Sequence, residues 1–232
     1  MKPLFEHKGR EIFGGCLPRV CAPGELFPAA SKLITTVPRE QWQTQEGVEW
    51  AKRQDAYQNG YNSCCLASMA QALMLMLSKR GRADVVLDWK TIWSTLTGGR
   101  NTGVAIQTAA DYVRRHGFPI VGSSEVVVVS EWADAEDVET FIAGRLCGWE
   151  GTYGRFVSGG GHAECAGYIK ISGGKAIVRV PGTWGPSYGE RGWYDVSESD
   201  LARGIPYFGA MLFREIEIRQ ADASGMPDAK AA

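Results

Sequence analysis

Two adjacent thiols, Cys64 and Cys65, stand where a polar, glycine-containing stretch turns abruptly apolar, in the run QNGYNSCCLASMAQALMLML that begins at Gln58. Ser63 is a good N-cap, and the Ala, Leu, Met and Gln residues that follow are strong helix formers. The segment therefore predicts a helix over Ser63–Lys79 with the cysteines in its first turn. Unpaired backbone N–H groups and the positive end of the macrodipole favour thiolate over thiol at such a place. A thiolate can serve as a nucleophile if a base stands beside it. The chain offers three histidines. His7 falls in a proline-rich N-terminal stretch. His116 ends a predicted helix, where an imidazolium complements the dipole and a structural role suffices. His162 follows Ser158-Gly159-Gly160-Gly161 and opens a predicted strand, so four small residues leave room for a group to approach its ring. A lone histidine is more often structural than catalytic. His162 gains weight as the one credible partner for a helix-terminal thiol.

The elements that must position these groups follow from periodicity. In the cysteine helix, Leu66, Met69, Ala70, Leu73, Met74 and Leu77 form one apolar face, and Ala72, Leu75 and Met76 extend it nearly all round, which marks a buried helix. Its methionines read as core filler, and Gly81 after Lys79-Arg80 ends it. Asp88 caps a second helix over Trp89–Leu96, the loop Thr97–Asn101 follows, and a third helix runs from about Gly103 to His116. Glu125–Ser130 has strand composition, and Asp134–Leu146 fits another amphipathic helix. Beyond Gly148 the character changes to short β runs, at Ala163–Ile171, Ala176–Val180, Gly192–Val196 and Tyr207–Ile218. Gly173-Gly174 marks a hairpin turn, and one helical turn is expected at Ser197–Ala202. Helices first and antiparallel strands second argue an α+β fold. Residues 1–45, with Pro3, Pro18, Pro23, Pro28 and Pro38, read as an extended arm lying on the body. Residues 46–218 read as the functional domain, helical to about 120 and β-rich from 121. A helical turn is expected near Gln45–Arg53, and residues 219–232 read as a disordered tail.

Composition narrows the classes. The chain has 232 residues, 44% of them hydrophobic and 22% charged, as in an ordinary globular protein. A net charge of −1 gives no electrostatic case for nucleic acid or an anionic membrane as partner. No run of about 18 apolar residues reads as a membrane span, and the charged start MKPLFEHKGREIFGG lacks the apolar core of a signal peptide. The six cysteines (Cys16, Cys21, Cys64, Cys65, Cys147 and Cys165) include no C-x-x-C pair, so neither a zinc site nor another metal or cofactor is expected. The thiols are expected to be free, in a reducing, cytoplasmic compartment.

At this point the residues resemble the papain-like cysteine peptidases. The run Gln58-x5-Cys64-x3-Ser68 resembles that family's segment Q-G-x-C-G-S-C-W-A-F-S, with Cys65 where the family has Trp. Val37-Pro38 with Trp42 or Trp50 resembles the mature N-terminus. Thr97-Gly98-Gly99 and the helix ending Tyr112–Phe118 resemble the N-G-G loop and helix, whose glycines bond to extended substrate. His162-Ala163 up to Gly167-Tyr168 resembles H-A-V-x-x-V-G-Y, and Gly182–Trp193 resembles N-S-W-G-x-x-W-G-E-x-G-Y. The resemblance implies a two-lobed fold, a helical N-terminal lobe around a central buried helix and an antiparallel, barrel-like C-terminal lobe. It implies Cys64 as nucleophile, His162 as acid and base, and Gln58 in the oxyanion hole. Gly98, Gly99 and Trp184 would line the site for an extended polypeptide substrate. Cys65, one step along the helix, points about 100° away from Cys64.

The departures are specific. The asparagine that orients the family's imidazole aligns with Gly182, leaving Thr183, Glu164, a water or a backbone carbonyl to replace it. Tyr61 stands where a disulfide partner would be, Cys64 and His162 are closer in sequence than the family's usual ~130 residues, and the arm is too short for the family's pro-segment. Three functions therefore stand: a cysteine peptidase; a catalytically impaired binding or structural component of a bacterial or phage assembly; and a Cys–His amidase acting on a non-protein amide such as cell-wall peptide.

Overall fold

The computed structural model describes residues 5–7, 10–12, 15–47, 57–158 and 160–221. The expected turn near Gln45–Arg53 lies largely outside these residues, as does the tail beyond 221. In chain order a hairpin, β1 (Phe5–His7) and β2 (Arg10–Ile12), precedes β3 (Cys16–Leu17). The helical half follows with α1 (Cys64–Lys79), α2 (Trp89–Thr97), β4 (Val104–Ala105) and α3 (Ile106–His116). Next come β5 (Phe118–Pro119), β6 (Glu125–Asp134) and α4 (Val138–Leu146). The strand-rich half comprises β7 (Glu150–Val157), β8 (Gly160–Cys165), β9 (Tyr168–Ser172), β10 (Lys175–Pro181), β11 (Trp193–Ser197), α5 (Glu198–Phe208) and β12 (Ala210–Gln220). No helix among the described residues is long and apolar enough to cross a membrane.

The strands form an antiparallel five-stranded sheet, β5-β6-β12-β7-β8, and an antiparallel three-stranded sheet, β11-β10-β9. The Gly167 N–H, between β8 and β9, donates to Arg179 O on β10 at 2.9 Å and carries the first sheet over into the second. The fold is α+β, as the sequence predicts.

Helix α1 is buried from Cys64 to Leu77, which is why its apolar residues run all round instead of forming a stripe. Its floor is the start of the large sheet. Ser68 Oγ meets Thr152 Oγ1 on β7 at 2.7 Å, and Thr152 Oγ1 donates to Glu164 O on β8 at 3.0 Å. These buried bonds fix the height of the helix over β8, and so the height of Cys64 over His162.

Several elements differ from expectation. Strand β7 lies between Gly148 and Ala163, where no strand is predicted, and contains Gly151 and Gly154. In the fold they are close-approach positions, since a Cβ on Gly151 would stand 2.9 Å from Phe141 and one on Gly154 would stand 2.3 Å from Phe208. Helix α5 runs eleven residues where one turn was expected, through Gly204 and Pro206. Ser197 caps it, and Leu201, Ile205 and Phe208 are buried at helical spacing, which outweighs the two breakers. β12 reaches Gln220, into the expected tail.

The segment 15–47 is tied to the body by specific contacts. Arg19 Nη2 meets Asp134 Oδ1 at 2.6 Å, the Arg19 N–H donates to Tyr207 O at 3.0 Å, and Phe27 packs on Trp132 with ring centroids 5.7 Å apart. Burial pushes the Asp134 carboxyl up to about 6, although Arg19 pulls the other way. A carboxyl raised in the folded state contributes stability below its unfolded value of about 3.9, and that contribution is lost as pH rises through about 6. Asp134→Asn is therefore expected to flatten the fall in melting temperature between pH 4 and 7 by a few degrees. Melting curves of both proteins across that range would check it, and parallel curves would refute it.

Candidate active site

Cys64 is the first residue of α1, with Ser63 as N-cap. Ser63 makes no side-chain cap bond, so the first-turn N–H groups are not taken up by its hydroxyl. The Ala163 N–H donates to Cys64 Sγ at 3.3 Å, placing β8 directly against the thiol. Burial would raise the Cys64 thiol. The adjoining Cys65 thiol, the nearby His162 imidazole and its charge, and the Ala163 N–H together outweigh it and hold the thiol well below its usual range. Cys65 goes the other way: burial pushes it well above the usual range, and Cys16 and Cys64 add to that. The geometry agrees, because Cys65 Sγ donates to Val104 O at 2.8 Å, a bond that requires the protonated thiol. Two neighbouring cysteines on one helix thus have opposite character.

His162 lies on β8 and is fully buried, like Cys64. Trp184 stacks on its ring, with centroids 4.1 Å apart and planes at 23°. Trp184 in turn stacks on Tyr194 at 5.9 Å and meets Tyr188 edge-on at 4.6 Å. Neither ring nitrogen of His162 makes a hydrogen bond of normal geometry among the described residues. The imidazole lies close enough to lower the thiol without an aligned hydrogen bond to it. His162 Nε2 lies 3.9 Å from Glu164 Oε1.

Gln58 is buried and held between the two halves. Its Nε2 donates to Tyr61 O at 2.7 Å, its Oε1 accepts from Thr183 Oγ1 at 2.7 Å, and its N–H donates to Thr183 O at 3.0 Å. Thr183 precedes Trp184, so the chain of contact runs Gln58, Thr183, Trp184, His162, Cys64. The Asn62 N–H donates to Asn101 Oδ1 at 2.8 Å, tying the loop before Cys64 to the loop before β4 where Tyr61 cannot form a disulfide.

Gly98 and Gly99 sit at the C-terminus of α2, where both have positive φ and close the helix. The glycine that meets the arm is Gly103: a Cβ on it would stand 2.1 Å from Gly15 O. The sequence places Gly103 at the start of the third helix and carries no signal of this contact.

The segment before β4's partner strand packs beside these residues. β3 pairs in parallel with β4, and Gly15 O accepts from the Val104 N–H at 2.8 Å. Gly15 abuts the Asn62 backbone, Cys16 O approaches Gly161 so closely that a Cβ there would be 2.4 Å away, and Cys16 is buried beside Cys65. Asn62 lies two residues before Cys64, and Gly161 lies one before His162. Residues 15–17 thus bridge both halves at the thiol.

No family model matches the sequence, and no curated protein matches it. Solved structures do. Xylellain, a cysteine protease from Xylella fastidiosa, superposes with a TM-score of 0.59 at 11% identity, over 88% of this chain and 96% of that one. The ragweed pollen allergen Amb a 11, a cysteine protease in its proform, gives a TM-score of 0.59 at 18% identity over 90% and 69%. Digestive procathepsin L 3 of the Tenebrio molitor larval midgut gives 0.56 at 14% over 81% and 75%. The chain has the papain-like fold.

Proposed function

We propose that this protein is a cysteine peptidase that hydrolyses peptide bonds in an extended polypeptide. The observation that carries the reading is the asymmetry of the two helix-terminal thiols: Cys64, facing His162 and the Ala163 N–H, is drawn towards thiolate, and Cys65 is not. In the reaction the Cys64 thiolate attacks the peptide carbonyl carbon, an S–C bond forms and the carbonyl π pair moves to oxygen. The Cys64 N–H and the Gln58 amide stabilise that oxyanion, at ~3 kcal/mol per donor. The C–N bond then breaks as the His162 imidazolium protonates the departing amine. Water, deprotonated by His162, attacks the thioester, and the S–C bond breaks to release the acid and restore the pair. Trp184 shields the imidazole from water. The Val104 N–H, which takes Gly15 O in this state, offers a backbone edge to a substrate strand.

A non-catalytic role for the same fold is favoured by one feature, the complete burial of both Cys64 and His162. Alkylation with iodoacetamide between pH 5 and 8, with the adduct located by mass spectrometry, separates the readings. The peptidase reading expects Cys64 to be modified ahead of the other five thiols at the acid end, and that preference to vanish in His162→Ala. Slow, equal modification of all six cysteines would sink it.

A further inference from the structure

We infer that Glu164 is the positioning residue for His162, its buried carboxylate doing the work of the asparagine whose place Gly182 holds. This rests on the peptidase reading. Residues two apart on a strand share a face, so His162 and Glu164 stand side by side on β8. Glu164 Oε1 lies 3.9 Å from His162 Nε2, both side chains are fully buried, and Nε2 has no hydrogen-bond partner among the described residues.

The carboxylate is held rigidly. Arg155 donates to Oε1 through Nε at 2.9 Å and reaches it through Nη2 at 2.7 Å. The Tyr194 hydroxyl donates to Oε1 at 2.6 Å, and the Tyr153 hydroxyl donates to Oε2 at 2.7 Å. The register of the sheet makes this possible, because Tyr153 pairs with Glu164 and Arg155 with His162 across β7 and β8.

Gly182 belongs to the same device. A Cβ at that position would stand 2.3 Å from Tyr194 Cε1. The ring that brings a hydroxyl to Glu164 occupies the space a side chain on residue 182 would need, so the missing asparagine and the added carboxylate are two halves of one rearrangement. The same ring stacks on Trp184, which stacks on His162.

A carboxylate differs from an amide in charge. Arg155, Glu164, His162 and Cys64 form a row that alternates plus, minus, plus, minus when the pair is charged. At 3.9 Å the effect of Glu164 is chiefly Coulombic, and the distance is of the kind that tightens when charge develops. Burial would raise the Glu164 carboxyl, but Arg155 foremost holds it below its usual range, so it stays ionised. The charged and titratable groups around His162 and Glu164 are Cys64 from α1, with Cys65 and Cys16 beside it, Tyr153 and Arg155 from β7, Tyr188 from the loop before β11, and Tyr194 from β11. Asp200 from α5 acts on Arg155. Both Tyr153 and Tyr194 are pushed well above the usual phenol range, by burial first and then by Glu164, and so remain donors.

The test is the rate of Cys64 alkylation by iodoacetamide from pH 4 to 10 in the full chain. A thiolate–imidazolium pair gives two steps, one as the pair forms and one as the imidazolium loses its proton. In Glu164→Gln the upper step is expected to move down by about one pH unit or more, the size of effect an opposite charge within 4–6 Å produces. A purely structural glutamate would slow alkylation by the same factor at every pH and leave both steps in place, and that result would overturn the inference. If Glu164→Gln does not fold, Glu164→Asp decides, since it keeps the charge for Arg155 and withdraws it from His162: a downward shift supports the inference, a wild-type profile overturns it. A wild-type protein with no low-pH step would refute the peptidase reading itself. Two wild-type steps that Glu164→Gln leaves unmoved would refute the role of Glu164 alone.

Discussion

Cys64→Ser is expected to lower hydrolysis of an unstructured polypeptide such as denatured casein by ~10⁴–10⁶-fold, and Cys65→Ser to leave it within about tenfold of wild type. The two residues are neighbours, and both are buried. What separates them is what each sulfur touches. Cys64 Sγ accepts from the Ala163 N–H and faces His162, which together hold negative charge on it. Serine at that position has a hydroxyl far too weakly acidic to ionise there, so the nucleophile is lost with little change in shape. Cys65 Sγ donates to Val104 O, a task that a serine hydroxyl also performs, and its truncated volume costs stability more than chemistry. His162→Ala should resemble Cys64→Ser, because without the imidazole burial dominates and the thiol returns upward. Turnover by Cys64→Ser at more than a hundredth of the wild-type rate would show that the thiol is not the nucleophile.

This contrast also marks how far the sequence alone could be read. The helix from Cys64 and its buried character were legible because cap, propensity and an apolar run agree over sixteen residues. His162 was legible as the histidine preceded by small residues at the start of a strand. What stands beside His162 was not. Glu164 was one alternative among several, because its meaning depends on which residues of β7 and β11 face it. Strand β7 was not legible, and it contains Gly151 and Gly154, whose lack of side chains serves the packing of Phe141 and Phe208. Tyr194 reads in sequence as one aromatic of a short β run. Only the pairing of β10 with β11, which sets Tyr194 opposite Val180, two residues before Gly182, explains why position 182 is glycine. Local signals specify elements, whereas a cross-strand cluster requires the register of three strands, which no window of sequence contains. The contacts of residues 15–17 with β4 were not legible. The parallel pair of β3 with β4 joins residues far apart in the chain and carries no local turn signal.

Loosening the arm is expected to accelerate alkylation of Cys64 by ~10–100-fold at fixed pH. Cys64 and His162 are both fully buried, and Gly15 and Cys16 pack against Asn62 and Gly161, two residues before Cys64 and one before His162. A reagent reaches the thiol when that segment lifts, so the rate follows the population of the lifted state while closing is fast. One tie of the arm is the Arg19–Asp134 pair at 2.6 Å. A hydrogen bond to a charged group contributes ~1.5–3 kcal/mol, and 1.4 kcal/mol is a factor of ten in population. The arm should be loosened with Arg19→Ala and Asp134→Asn together, because removing Arg19 alone would strand a buried carboxylate and confound the result with global destabilisation. The double variant is expected to label Cys64 faster, keep its melting temperature within a few degrees, and retain the preference for Cys64 over Cys65. Unchanged labelling would mean that the thiol is reached by another route. Faster labelling of Cys64 and Cys65 alike would mean that the whole fold, not the arm, has opened. A selective rise would make residues 15–19 a removable cover, whose parallel course along Val104 leaves that backbone edge open once it lifts.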